Sequence, residues 1–86
     1  MRLEKIQAFL KEKAWKYSYT EQDGVGSIDF ENRGLAYHIW EFSDEGYGDT
    51  DDVTYGAESN VRTGGRQEDF YGDYEEEIIE VIRNWK

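Results

Sequence analysis

The sequence predicts an α+β domain: an antiparallel sheet of three or four strands with two helices packed on one face, in the order α-β-β-β-(β)-α. Three observations carry that expectation. Each end of the chain repeats apolar residues at helical spacing. The stretch between them alternates polar and apolar residues at period two, broken by glycine-marked turns. Each helical pattern has a single apolar face, and one face of one sheet can bury both. At 86 residues the chain is a single domain, residues 1–86. A domain of this size buries only about 60–65% of the surface its unfolded form exposes.

Residues 2–14 read as the first helix. Leu3, Ile6, Leu10 and Ala14 recur at three- and four-residue spacing, Phe9 widens the stripe, and Lys and Glu fill the other side. Residues 15–20 alternate and read as a short strand, and Asp23-Gly24 marks the turn after it. Residues 25–31 form a second strand. Residues 35–42 form a third, the most apolar, after a turn at Asn32-Arg33-Gly34.

Register decides which side of that hairpin is the core. A two- or four-residue loop sets Ile28 and Phe30 beside Leu35, Tyr37 and Ile39. A three-residue loop sets them beside Ala36, His38, Trp40 and Phe42. The first is preferred because it gives the helices five apolar residues. It leaves His38, Trp40 and Phe42 on the other side, among Ser27, Asp29 and Glu31.

Residues 43–52 lack periodicity, concentrate acids, and are expected to be a mobile loop. Residues 53–62 offer a short fourth strand, and Thr63-Gly64-Gly65-Arg66 a turn. An extra helical turn over residues 68–71 is expected before the final helix. That helix has Asp73 and Glu76 at capping-box spacing and an apolar stripe of Tyr74, Ile78, Val81, Ile82 and Trp85. Glu75, Glu76 and Glu77 lie in its first turn and Arg83 and Lys86 at its end, as the helix dipole favours.

Cysteine is absent, so neither a disulfide nor a cysteine-bound zinc staples the fold. Three Trp, seven Tyr and four Phe compensate by burying large apolar areas. Dimerisation is a second way to enlarge the core, and a homodimer stays open. No run of apolar residues suits a membrane span, and the first residues carry charges where a secretory signal has an apolar run. A cytoplasmic location is expected.

The net charge is −10, unevenly spread. Residues 1–20 hold five bases and two acids, for +3; residues 21–86 hold five bases and eighteen acids, for −13. Such a field repels nucleic acid and speeds encounter with basic proteins. A charge-driven partner is therefore expected to meet the 44–52 loop and the last helix, at Asp44, Glu45, Asp49, Asp51, Asp52, Glu75 and Glu76.

Motifs for catalysis are missing. The one histidine, His38, sits in mid-strand without a nucleophile motif. Carboxylate pairs are too numerous to single one out, and 86 residues rarely supply a rigid cleft between them. Asp44, Glu45, Asp49, Asp51 and Asp52 offer the oxygen ligands a divalent cation wants, but no EF-hand pattern fits. Thr63-Gly64-Gly65-Arg66 is no P-loop, and Arg62 and Arg66 are expected to pair with Glu58, Glu68 or Asp69. Aromatics point elsewhere. With Trp40 and Phe42 on the face away from the helices, an apolar patch bordered by acids marks an interface. The opposing expectation is that residues 43–62 fold back and cover them.

Three stretches, residues 37–42, 56–62 and 72–75, resemble small uncharacterised proteins of Firmicutes and their mobile elements. That resemblance spans most of the chain and implies no activity. Some such proteins carry a kinase label, but no phosphate- or metal-binding kinase motif occurs here. Size, charge and element order are also similar to acidic phage-encoded inhibitors that mimic DNA, small anti-CRISPR proteins among them, with no shared motif.

The expectation is thus a non-enzymatic protein-interaction module without a cofactor. It would bind a protein partner with a basic surface, through His38, Trp40 and Phe42 and the acids named above. One alternative is an inhibitor acting as an acidic nucleic-acid mimic. A second is a small metal-dependent enzyme.

Overall fold

The computed structural model describes residues 1–45 and 53–85, with only the backbone of Asp44, Glu45 and Val53. Its elements are α1 (Glu4–Glu12), β1 (Tyr17–Gln22), β2 (Val25–Asn32), β3 (Leu35–Glu45), β4 (Val53–Ser59), β5 (Glu68–Phe70) and α2 (Tyr74–Arg83). The strands form one antiparallel meander in sequence order.

Two tight turns set the register. Asp23 and Gly24 have φ of 54° and 79°, and Arg33 and Gly34 have 53° and 80°. Positive φ at both central residues makes each a type I′ turn, whose twist matches that of the strands it joins. A two-residue loop at Arg33-Gly34 pairs Asn32 with Leu35, Phe30 with Tyr37 and Ile28 with Ile39. This is the preferred register, but Leu35, one of the five apolar residues expected under the helices, lies at the strand's start and stays 48% exposed. Ile28, Phe30, Tyr37 and Ile39 are buried with Leu3, Ile6, Phe9 and Leu10 of the N-terminal segment and Ile78, Ile79 and Ile82 of α2.

The two helices lie side by side and run in the same direction. At their starts, a carboxylate oxygen of Glu75 accepts the amides of Lys5 and Ile6 at 3.2 and 3.4 Å. Beyond their ends, Trp15 stacks on Trp85 with ring centroids 6.0 Å apart. Gln7 reaches β1 by accepting from the Tyr17 hydroxyl, while α2 packs near β4 and β5. Both helices therefore cover one face of the sheet, and none of the described residues covers the other.

The structure departs from expectation at four places. Residues 68–70 are a strand, not a helical turn: Phe70 pairs with Ala57 and is buried, and Gly72, at φ 66°, turns the chain before α2. β3 runs on to Glu45, so residues 43–45 belong to the sheet. α1 is shorter than its pattern, bounded by Leu3 and Ala14 at positive φ. The Asp73 side chain makes no capping hydrogen bond. The expected fourth strand is β4.

Candidate functional site

Strand alternation puts every second residue of the meander on the open face. Register then arranges three rows across it. Ser18, Asp29 and His38 lie opposite one another in β1, β2 and β3. Thr20, Ser27, Trp40, Glu58 and Asp69 form the next row, across all five strands. Phe42 lies opposite Gly56 in the third.

Aromatic rings run diagonally over this face. His38 packs against Trp40 at 5.0 Å between ring centroids, and Phe42 meets Tyr71 edge-on at 5.6 Å. Gly56 makes the second contact possible. A Cβ there would lie 2.8 Å from the Phe42 ring and 2.8 Å from the Phe70 carbonyl oxygen. The missing side chain lets Phe42 lie across β4 toward Tyr71. Trp40 remains 37% exposed and Tyr71 50%. Residues 53–59 extend the sheet beside β3 instead of folding over these rings.

Acids border the row. Asp29 is paired with the His38 imidazole through Nδ1. Arg62 and Arg66 both pair with Glu68, at 3.5 and 3.8 Å. Glu58 and Asp69 are left without an ion pair among the described residues. Beside His38 a shallow hollow of about 350 Å³ is lined by Lys16, Ser18, Asp29, Glu31, Ala36 and other residues. Register places Asp29 between Ser18 and His38, so the imidazole is not set against the Ser18 hydroxyl as a general base would be.

The helix-covered face holds a second polar cluster. Glu41 follows Tyr37 and Ile39 in the inward alternation of β3, and only 1% of its side chain is exposed. One oxygen accepts Arg2 Nε at 2.9 Å and the Gly26 amide at 3.0 Å. The other accepts an Arg2 terminal nitrogen at 2.8 Å and the Tyr74 hydroxyl. Burial by itself would raise the Glu41 carboxyl's pKa; the hydrogen bonds from Arg2, Tyr74 and Gly26 outweigh it and hold it below the usual carboxylate range. Burial, then the hydrogen bond to Glu41, pushes the Tyr74 phenol well above its ordinary value. With four donors on two oxygens, Glu41 has no free lone pair with which to take a proton from a substrate. The cluster ties the start of the chain to the sheet.

The site residues expected from sequence divide as follows. His38, Trp40 and Phe42 share the open face. Glu75 and Glu76 lie on α2 over the opposite face; Glu75 holds the α1 amides, and Glu76 pairs with Lys5 at 3.5 Å. Asp44 and Glu45 end β3, with their side chains outside the described set, and Asp49, Asp51 and Asp52 lie outside the described residues. Among the described residues no cluster of His, Asp and Glu could hold a metal ion, and no helix is long and apolar enough to cross a membrane. Sequence reasoning missed Glu58, Asp69 and Tyr71 as members of the open face. Strand alternation could have placed Glu58, but Asp69 and Tyr71 required knowing that β5 exists.

Compared with protein-family models, with curated proteins and with solved structures, the chain matches none.

Proposed function

We propose that this protein is a non-enzymatic interaction module whose docking surface is the open face of the sheet, and that its partner is a protein with a basic surface. The observation that carries this reading is the run of exposed Trp40 and Tyr71 with half-buried His38 and Phe42, lined by Asp29, Glu58 and Asp69. An apolar strip rimmed by charge is the usual make-up of a protein interface, and tryptophan is favoured at its energetic centre. A carboxylate rim in a chain of net charge −10 selects basic partners and speeds their approach.

The test compares proteins captured from a host lysate by the native chain, by Trp40→Ala and by Glu58→Lys/Asp69→Lys, at low and high salt. Both variants alter exposed or half-buried positions and should fold. The reading expects a basic protein retained by the native chain and lost by Trp40→Ala at both salt concentrations. Unchanged capture by both variants would sink it. Capture that ignores Trp40→Ala, collapses in salt and is competed by DNA would identify the nucleic-acid mimic instead.

A further inference from the structure

The molecule repeats one arrangement: an aromatic ring, a nearby carboxylate, and an arginine serving both. Arg2 lies 4.5 Å from the centre of the Tyr55 ring and grips Glu41 through two nitrogens. Arg62 lies 5.0 Å from the centre of Phe70 and 3.5 Å from Glu68. Arg83 lies 5.7 Å from the centre of Phe9 and 2.9 Å from Glu80. A flat guanidinium can stack on a ring with its face while its edge donates to a carboxylate, which a lysine ammonium does less well.

Trp40 and Glu58 make a fourth such pairing, on the open face. They are directly opposite in β3 and β4, which brings their Cβ atoms to about 5 Å. Asp69 is the next residue along the same row. The His38 ring closes one side of Trp40, and His38 itself is held by Asp29. Tryptophan is the best of the aromatic rings for a cation. Among the described residues no arginine or lysine serves this pair, because Arg62 and Arg66 are both drawn to Glu68.

We infer that this is a seat for an arginine side chain of the partner, the guanidinium stacking on Trp40 while Glu58, assisted by Asp69, accepts its N–H groups. The inference rests on the docking face proposed above and names the chemistry recognised there. It commits to an arginine-bearing protein segment. A lysine-bearing segment is an outcome of the test.

The probe is a short, blocked Arg-Gly repeat peptide, with counterparts in which lysine or the neutral isostere citrulline replaces arginine. The readout is the indole N–H resonance of Trp40, assigned by its disappearance in Trp40→Phe. The arginine peptide should shift it saturably, with the lysine peptide roughly tenfold weaker and the citrulline peptide weaker still. Glu58→Gln should weaken the arginine peptide about tenfold, and Asp69→Asn by less. Equal binding of the lysine and arginine peptides, or an unchanged affinity in Glu58→Gln, overturns the assignment. No shift with the arginine peptide at millimolar concentration also overturns it. The docking face itself stands if a partner is still lost on Trp40→Ala, and it falls if that partner is captured unchanged by both Trp40→Ala and Glu58→Lys/Asp69→Lys.

Discussion

A carboxylate beneath a helix is tolerable only if each of its oxygens is satisfied, and Glu41 meets that condition with Arg2, Tyr74 and the Gly26 amide. Its hydrogen bonds favour the charged form in the folded state. A lowered folded pKa means that stability is fully present above the unfolded value, about 4.3. It is lost as pH falls below that value and through the folded one. Urea midpoints measured over a pH series should therefore drop on the acid side, and Glu41→Gln should flatten that drop. The same substitution should destabilise the protein at pH 7 by about 3 kcal/mol, the low end for breaking a buried pair. The low end applies because 35% of the Arg2 side chain remains exposed. A variant with native stability and a native acid limb would show that the cluster contributes nothing.

At the scale of the element, α1 is the instructive case. Leu3, at its N-cap position, has no side-chain oxygen to offer the first amides. Glu75 supplies one from the neighbouring helix, at 3.2 and 3.4 Å. A carboxylate there also faces the positive end of the α1 dipole. Glu75→Ala should cost about 1 kcal/mol, as loss of a helix cap does, and speed amide exchange at Lys5 and Ile6. Glu76→Ala should cost under about 0.5 kcal/mol, because its pair with Lys5 is exposed. Equal effects of the two would remove the distinction. Asn60 does similar service for β3. Just past the end of β4, its side-chain amide accepts the His38 N–H at 2.9 Å and donates to the Ala36 carbonyl at 3.0 Å, continuing the ladder where the strand has ended.

Over the whole molecule, charge is distributed by the packing of the helices. The first twenty residues carry +3, and α1 within them lies against the acidic start of α2, where Lys5 and Glu76 meet. Among the described residues Glu58 and Asp69 of the open face have no ion pair, and the net charge of the chain is −10. Self-repulsion of that size opposes the compact state and is screened over about 10 Å at 0.1 M salt. Raising NaCl from low to moderate concentration should therefore raise the thermal midpoint. The buried Arg2–Glu41 pair is screened far less and should not reverse the trend. A midpoint that falls with salt would mean that exposed ion pairs outweigh the repulsion.

The sequence by itself determined the α+β class and both helices, and it favoured, without deciding, the hairpin register that puts His38, Trp40 and Phe42 on the open face. Class and helices follow from periodicity, which is local; the loop length was decided by the positive φ of Arg33 and Gly34, after which period two fixes every side chain in β2 and β3. Once that register is set, the same alternation carries Glu41 inward two residues after Ile39, a place that was not expected for it. Tertiary structure decided what depends on distant partners. Residues 68–70 have no strand pattern of their own and become β5 because Phe70 finds Ala57 across the sheet. Glu41 is buried because Arg2, 39 positions away, reaches it. Glu75 and Glu76 looked available to a partner until α1 was seen lying beside them. Whether the aromatic face was open turned on where residues 53–59 went, and they joined the edge of β3, leaving Trp40 37% exposed.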